Sequence, residues 1–360
     1  MPDRLLMTPG PTAVPPDVRE AMARPLVNPD VEPEFVDFYR SVLDDLAALY
    51  GTDDDVLVLG GEGMLGLDAA VGSLVDPGDR VLCLANGVFG AGFADLVETH
   101  GGDPVVHEVP PDEGFDADAV ADVVAEADVE VATMVHCETP TGVLNDLDAV
   151  LDVLAAADVL TVVDAVSSLG GAPVPVDRVD VCLGASQKCL SSPPGLTTLS
   201  VSDAAWDRVA ATDQDSFYAS LAPWRDVDLS GDGPVLLPYT HLVSNLYALE
   251  ASLDRLLSEG LAAAYDRHEA AADLCRRRGR DLGLDLVGDA ATASPTVTAF
   301  AVEGRAREIQ RRLAADHGVV VATSVGPYAD DVLRVGHMGY NADLAKVDRT
   351  MDALAAVLGD

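Results

Sequence analysis

The chain has 360 residues, 61 of them acidic and 22 basic, with a formal charge of −39 at neutral pH and 49% hydrophobic positions. The negative charge is spread through periodic apolar segments, which describes a folded core under a strongly acidic surface and excludes a disordered acidic tail. Nucleic acid and anionic membranes are poor partners for such a surface, and its self-repulsion is best tolerated where concentrated salt shortens the Debye length to about 3 Å at 1 M, so a salt-accumulating, halophilic cytoplasm is expected.

In chain order, the Pro-rich start over residues 1–15 reads as an arm that packs on something else, such as a second subunit. Its run MPDRLLMTPGPTAVPPD holds no apolar stretch of signal-peptide length, and no later run reaches a membrane span; a soluble cytoplasmic protein is expected. Strands are predicted at 55–60 (DVLVLG), 80–85 (RVLCLA), 103–109 (DPVVHEV), 129–137 (VEVATMVHC), 160–166 (LTVVDAV), 180–186 (DVCLGAS) and 196–202 (LTTLSVS). Helical patterns such as FADLVETH and LDAVLDVLAAAD lie between them. Near-continuous Val and Leu in these strands implies burial on both faces, as in a mostly parallel sheet covered by helices. The expectation is an α/β protein with a large domain over 16–255 built on a seven-stranded sheet. A long helix around 245–270 then leads to TVTAFAVEG, VVVATS and VLRVGHM, which suit a smaller α+β domain over 256–360.

Five cysteines, Cys83, Cys137, Cys182, Cys189 and Cys275, are odd in number and lack CxxC spacing, so neither a disulfide framework nor a zinc site is indicated. Seven scattered histidines offer no HxxxH pair, and no metal site is expected.

Three segments carry candidate chemistry. GGEGMLG follows the first apolar strand, where Gly61, Gly63 and Gly66 match the spacing of a dinucleotide fingerprint. The next strand ends in Leu84-Ala85-Asn86-Gly87 and lacks the acid that would hold a ribose, so the turn reads as an anion cradle at a helix N-terminus or as a plain tight turn. Second, Asp164 ends one predicted strand and Lys188 follows the next, which aims both at the crevice beyond the carboxyl edge of the sheet. Lys188 is one of only two lysines in the chain, and only a primary amine forms an imine with an aldehyde. A simple ion pair between the two is the alternative. The other lysine, Lys346, reads as a solvated charge on a helix face. Third, Arg334 interrupts an apolar strand in VLRVGHMG, which suits bidentate capture of a carboxylate or a charge that snorkels to the surface.

In the order TPGPTAVP, GGEGMLGLDAAV, ANGVFG, HCETPTGV, VDAVSSLGG, GASQKCLSSPPG and VLRVGHMG, the chain resembles the class V, fold type I, pyridoxal-phosphate-dependent aminotransferases over essentially its whole length. The alanine-glyoxylate and serine-pyruvate branch is the most similar. The resemblance implies that Lys188 carries a Schiff base to the B6 cofactor and then moves the substrate proton. It implies that Asp164 pairs with the ring nitrogen, that Gln187 contacts the ring or its hydroxyl, that Phe89 stacks on the ring face and that Thr139 binds the ring hydroxyl. Gly61, Glu62, Gly63 and Met64 would form the phosphate turn, Arg334 would hold the substrate carboxylate, and Thr240 would reach the phosphate of a neighbouring subunit. A homodimer or homotetramer acting on a small amino acid, such as alanine, serine or glycine, and on pyruvate or glyoxylate is then expected.

The phosphate turn departs from that pattern. Many relatives have a small hydroxyl residue at the position of Glu62, whereas a carboxylate about 4 Å from a phosphate charge costs about 4 kcal/mol at an effective dielectric of about 20. A helix N-terminus recovers only ~0.5–2 kcal/mol of that. The tyrosine that relatives place shortly before the cross-subunit threonine is also displaced, with Leu237 at its position and Tyr239 nearby. Both traits, and the GHMG run after Arg334, are similar to the pyridoxamine-pyruvate aminotransferases, where pyridoxamine and pyridoxal are substrates without a phosphate. Against this, ATSVGPYADDV offers no second carboxylate-binding arginine upstream of Arg334. A class V lyase needs a cysteine on a mobile loop, which neither Cys189 nor Cys275 suits, and a non-catalytic binding module leaves Lys188, Asp164 and Arg334 together unexplained.

Overall fold

The computed structural model describes residues 4–214, 216–231, 233 and 235–359. All seven apolar runs form one sheet, with strands β1 (Asp55–Gly60), β2 (Arg80–Ala85), β3 (Asp103–Glu108), β4 (Val131–Val135), β5 (Leu160–Asp164), β6 (Val181–Ala185) and β7 (Leu196–Val201). The spatial order is β1-β7-β6-β5-β4-β2-β3, and β7 alone runs antiparallel to its neighbours. Strands β4, β6 and β7 are buried at every position; β4 and β6 are almost wholly apolar, whereas β7 buries Thr197, Thr198 and Ser200 between its apolar residues. The edge strand β3 is instead bounded by Asp103 and Glu108 and half exposed, which discourages pairing with another chain.

Helices return the chain between parallel strands. Gly63–Leu74 follows β1 directly, Val88–Thr99 follows β2, and Asp148–Ala156 precedes β5. The connection after β5 is Ala165 to Asp180, and the one after β6 carries Gln187 and Lys188, so both emerge at the carboxyl edge of adjacent strands. The long helix expected around 245–270 is two helices, Val243–Glu259 and Leu261–Asp281. The chain turns at Gly260, whose φ of +86° is readily reached only by glycine.

A second, four-stranded antiparallel sheet contains Val297–Ala301 and Val332–Gly336 as its central pair. Phe300, Leu313, Leu333, Met351 and Leu354 fill a core on it that is separate from the one around the seven-stranded sheet. The N-terminal arm joins this second body within the same chain. Leu5 and Leu6 pair in parallel with Val319 and Val320, and Met7 is buried in the smaller core.

Candidate active site

Lys188 lies three residues past β6, half-buried. Its Nζ donates to the carbonyl of Pro9 at 3.0 Å, and no carboxylate forms an ion pair with it among the described residues. Thr12 N–H donates to Gln187 O at 3.0 Å and the Thr12 hydroxyl to Lys188 O at 3.1 Å, so the arm covers the lysine. Burial pulls the amine below the ordinary lysine range, Asp164 opposes that shift and Arg334 reinforces it. An amine so placed is more readily deprotonated than a surface lysine.

Asp164 ends β5 and is only 6% exposed. Its Oδ1 accepts the Val166 N–H at 2.8 Å. Burial pushes its carboxyl up to about 6, with Val166 and Lys188 lowering it and Glu62 raising it. A carboxylate with one oxygen committed to a backbone amide, beside a buried amine, meets the needs of a protonated pyridine nitrogen.

Glu62 is the N-cap of the helix Gly63–Leu74, and its Oε1 accepts the Met64 N–H at 3.3 Å. Its Oε2 accepts from Gln187 Nε2 at 3.4 Å. Gly61 forms the turn ahead of it and Gly63 is the first helical residue. The helix N-terminus that would receive an anion therefore already holds a carboxylate of this chain. Gln187 is buried, and its Oε1 has no hydrogen-bond partner among the described residues. Above the turn, Gly60 N–H donates to Tyr239 Oη at 2.9 Å while Tyr218 Oη donates to Gly60 O at 2.9 Å, and the two tyrosine rings stack at 4.3 Å.

Arg334 points inward from Val332–Gly336 and is 8% exposed, so it does not snorkel to the surface. Its Nε and Nη2 donate to Thr323 O at 3.1 and 2.7 Å, and Nη1 donates to Thr139 O at 3.2 Å. Burial lowers it to about 10, and among the described residues no carboxylate forms an ion pair with it. A buried guanidinium held only by carbonyls keeps its charge free for an incoming carboxylate.

The Thr139 hydroxyl bonds the Ser167 hydroxyl, three residues beyond Asp164. Phe89 is half-buried at the second position of Val88–Thr99. Thr240 stands exposed on the rim of a surface hollow with Leu26 and Asn28, and no hydrogen bond joins it to the other candidates among the described residues. Lys346, read from sequence as solvated, is instead half-buried. Its amine lies 3.3 Å from the centre of the Tyr340 ring and donates to Tyr340 O at 2.5 Å, and burial lowers it to about 8. The residue missed by sequence reasoning is Glu138. It is fully buried, its carboxylate accepts the N–H groups of Phe89 and Gly90, and burial pushes it up to about 7. A glutamate in the otherwise uncharged stretch HCETPTG was the available signal.

The donor set fits the ring end of a pyridoxal cofactor through Lys188, Asp164 and the unpartnered oxygen of Gln187. All five cysteines are buried and free, and no group of three or more potential metal ligands occurs among the described residues. No helix is long and apolar enough to cross a membrane among those residues.

Residues 5–338 match the family described as aminotransferase class-V. The chain is 33% identical over 362 residues to the pyridoxamine–pyruvate transaminase of Mesorhizobium japonicum, covering 98% of this chain and 91% of that protein. It is 33% identical over 367 residues to the alanine–glyoxylate aminotransferase of Oryctolagus cuniculus, covering 99% and 93%. Among solved structures, the ureidoglycine-glyoxylate aminotransferase of Bacillus subtilis superposes with a TM-score of 0.94 at 30% identity, covering 99% of this chain and 93% of that one. The pyridoxamine-pyruvate aminotransferase of Mesorhizobium loti gives 0.93 at 31%, covering 99% and 92%. With this fold and this lysine-aspartate-arginine constellation, the chain belongs to the class V aminotransferases, the pyridoxal-phosphate-dependent transaminases of fold type I.

Proposed function

We propose that the protein moves an amino group between a small amino acid and a 2-oxo acid, with Lys188, Asp164 and Arg334 as the working residues. The observation that carries this reading is the buried Arg334, held only by carbonyl oxygens, on the same site as an amine free of carboxylate ion pairs. When bound, the cofactor supplies an aldehyde that captures an amine and a ring that draws off electrons. Arg334 fixes the α-carboxylate of the amino acid in a bidentate grip. Lys188 Nζ, whose unprotonated form burial favours, would take the α-proton and relay it onward to the former aldehyde carbon. Asp164 would hold the ring nitrogen, Phe89 a ring face, and Gln187 and Thr139 the ring hydroxyl.

A second reading is favoured by one observation. The Glu62 carboxylate caps the helix from which Gly61, Glu62, Gly63 and Met64 would otherwise grip a phosphate. That supports a phosphate-free vitamer as substrate, with pyridoxamine and pyruvate becoming pyridoxal and alanine. Titrating vitamer-free protein in concentrated KCl with pyridoxal and with pyridoxal 5′-phosphate, following imine absorbance, separates the two. Tighter phosphate-form binding supports the amino-acid transaminase, tighter pyridoxal binding supports the vitamer enzyme, and no imine with either overturns both.

The same reading includes a division into an arm at 1–15, a large domain at 16–255 and a small one at 256–360, supported by the two separate cores. It includes a homodimer or homotetramer in which Thr240 serves the neighbouring site. Exposed Leu26, Val31, Phe217, Leu236 and Leu242 support an apolar contact face near that segment. A cytoplasmic, salt-rich setting is supported by the charge of −39.

A further inference from the structure

Glu138 sits where a buried carboxylate needs a reason. The helix Val88–Thr99 has Gly87 at its N-cap, which offers no side chain to the first amides. The cap comes instead from a distant segment, with Glu138 Oε1 accepting Gly90 N–H at 2.6 Å and Oε2 accepting Phe89 N–H at 3.3 Å. A serine at position 87 would cap the helix locally without burying a charge. Gly87 makes the alternative possible, because a methyl there would lie 2.5 Å from Glu138 Cδ. The backbone at Gly87 is extended, so space and not conformation calls for glycine.

The residues after Glu138 have partners at the other side of the site. Thr139 O accepts from Arg334 Nη1 at 3.2 Å, and Pro140 O accepts from the Ser324 hydroxyl at 2.8 Å. One short turn thus holds both the start of the Phe89 helix and the seat of the guanidinium. We propose that Glu138 is a positioning residue that sets Phe89 against the cofactor ring and ties that placement to Arg334. The inference rests on the reading of Phe89 as the ring-facing residue. A merely structural cap would stabilise the helix without affecting how the ring is held.

The test is a cycle of four full-length proteins in concentrated KCl: wild type, Glu138→Gln, Phe89→Ala and the double variant. Glutamine keeps one acceptor but turns an NH2 toward an amide N–H, so a charge-assisted bond is lost. The readouts are the dissociation constants for pyridoxal and pyridoxal 5′-phosphate, the visible circular dichroism of the bound chromophore and the unfolding temperature without vitamer. Glu138→Gln is expected to weaken vitamer binding about tenfold and to alter the visible dichroism. In the Phe89→Ala background the same change is expected to do less than about twofold, since the two residues act as one unit. Equal factors in both backgrounds, or a loss of thermal stability with unchanged affinity and dichroism, overturn the inference. Should Glu138→Gln fail to fold, Gly87→Ala, which displaces the same carboxylate, replaces it in the cycle. A wild type that binds no vitamer overturns the transaminase reading and this inference with it, whereas wild-type binding with equal factors overturns this inference alone.

Discussion

Lys188 donates from Nζ to the carbonyl of Pro9 at 3.0 Å, so the free amine of the candidate Schiff-base lysine is held by the N-terminal arm of its own chain. The next residue, Gly10, has φ +119°, and a methyl built there would lie 2.6 Å from both Cδ and Cε of Lys188. Gly10→Ala is expected to destabilise the protein by about 1–3 kcal/mol through backbone strain and to slow imine formation with pyridoxal by displacing the lysine stem. Thermal melts and stopped-flow absorbance read the two effects, and wild-type imine kinetics would refute the steric argument.

Glu62 caps the Gly63–Leu74 helix through Met64 N–H and is exposed, so solvent screens its repulsion of a phosphate below the buried limit. Glu62→Ser replaces the capping carboxylate with a neutral hydroxyl, removing the negative charge from the helix N-terminus. The phosphate form should gain about 10- to 100-fold in affinity relative to pyridoxal. Unchanged relative affinities in the absorbance titration would remove electrostatics as the basis of vitamer choice.

Burial raises Asp164 from its ordinary value to about 6, so the folded protein holds this proton where the unfolded chain has lost it. Stability contributed by this group therefore falls as pH rises from about 4 through about 6, because the native state binds more protons over that range. Asp164→Asn, which retains an acceptor for Val166 N–H, should stabilise the vitamer-free protein at pH 8 by about 1–3 kcal/mol and leave it nearly unchanged below pH of about 4. Transamination should fall sharply in the same variant. Thermal melts at the two pH values decide the matter, and a variant less stable than wild type at pH 8 would contradict it.

Arg334 presents a fork that a lysine does not reproduce. Arg334→Lys should raise KM for both amino acid and oxo acid about 10- to 100-fold while leaving the vitamer dissociation constant unchanged. Arg334→Ala additionally strands the carbonyls of Thr323 and Thr139 and should lower stability by about 1–3 kcal/mol. Equal loss of vitamer and substrate affinity in the lysine variant would place Arg334 at the cofactor instead.

Much of the large sheet was legible residue by residue. A short, mostly apolar and β-branched run such as VATMV, too short for a helix, fits a strand covered on both faces, and burial acts on each such run independently. Asp164 and Lys188 were legible for a related reason, since a polar residue just past an apolar strand falls at the strand's carboxyl end wherever the strand lies in the sheet. Arg334 stood out as a charge in an apolar strand, and Glu62 as a carboxylate at a helix start.

Other features depended on contacts between distant segments. The sequence does not say that Glu138 meets an amide 48 positions away, that the arm folds back on Lys188, or that Lys346 settles on Tyr340 in place of water. Nor does apolar periodicity reveal the break at Gly260, because the pattern continues across it while one backbone angle turns the chain. By itself the sequence determined the strands, the acidic composition and the places of Lys188, Asp164 and Arg334 beside or within apolar strands, because local burial and side-chain chemistry are properties of short segments. Only the tertiary structure decided which carbonyl holds the lysine, which carboxylate occupies the helix N-terminus beside Met64, and which turn joins Phe89 to Arg334, because those choices depend on packing across the whole chain.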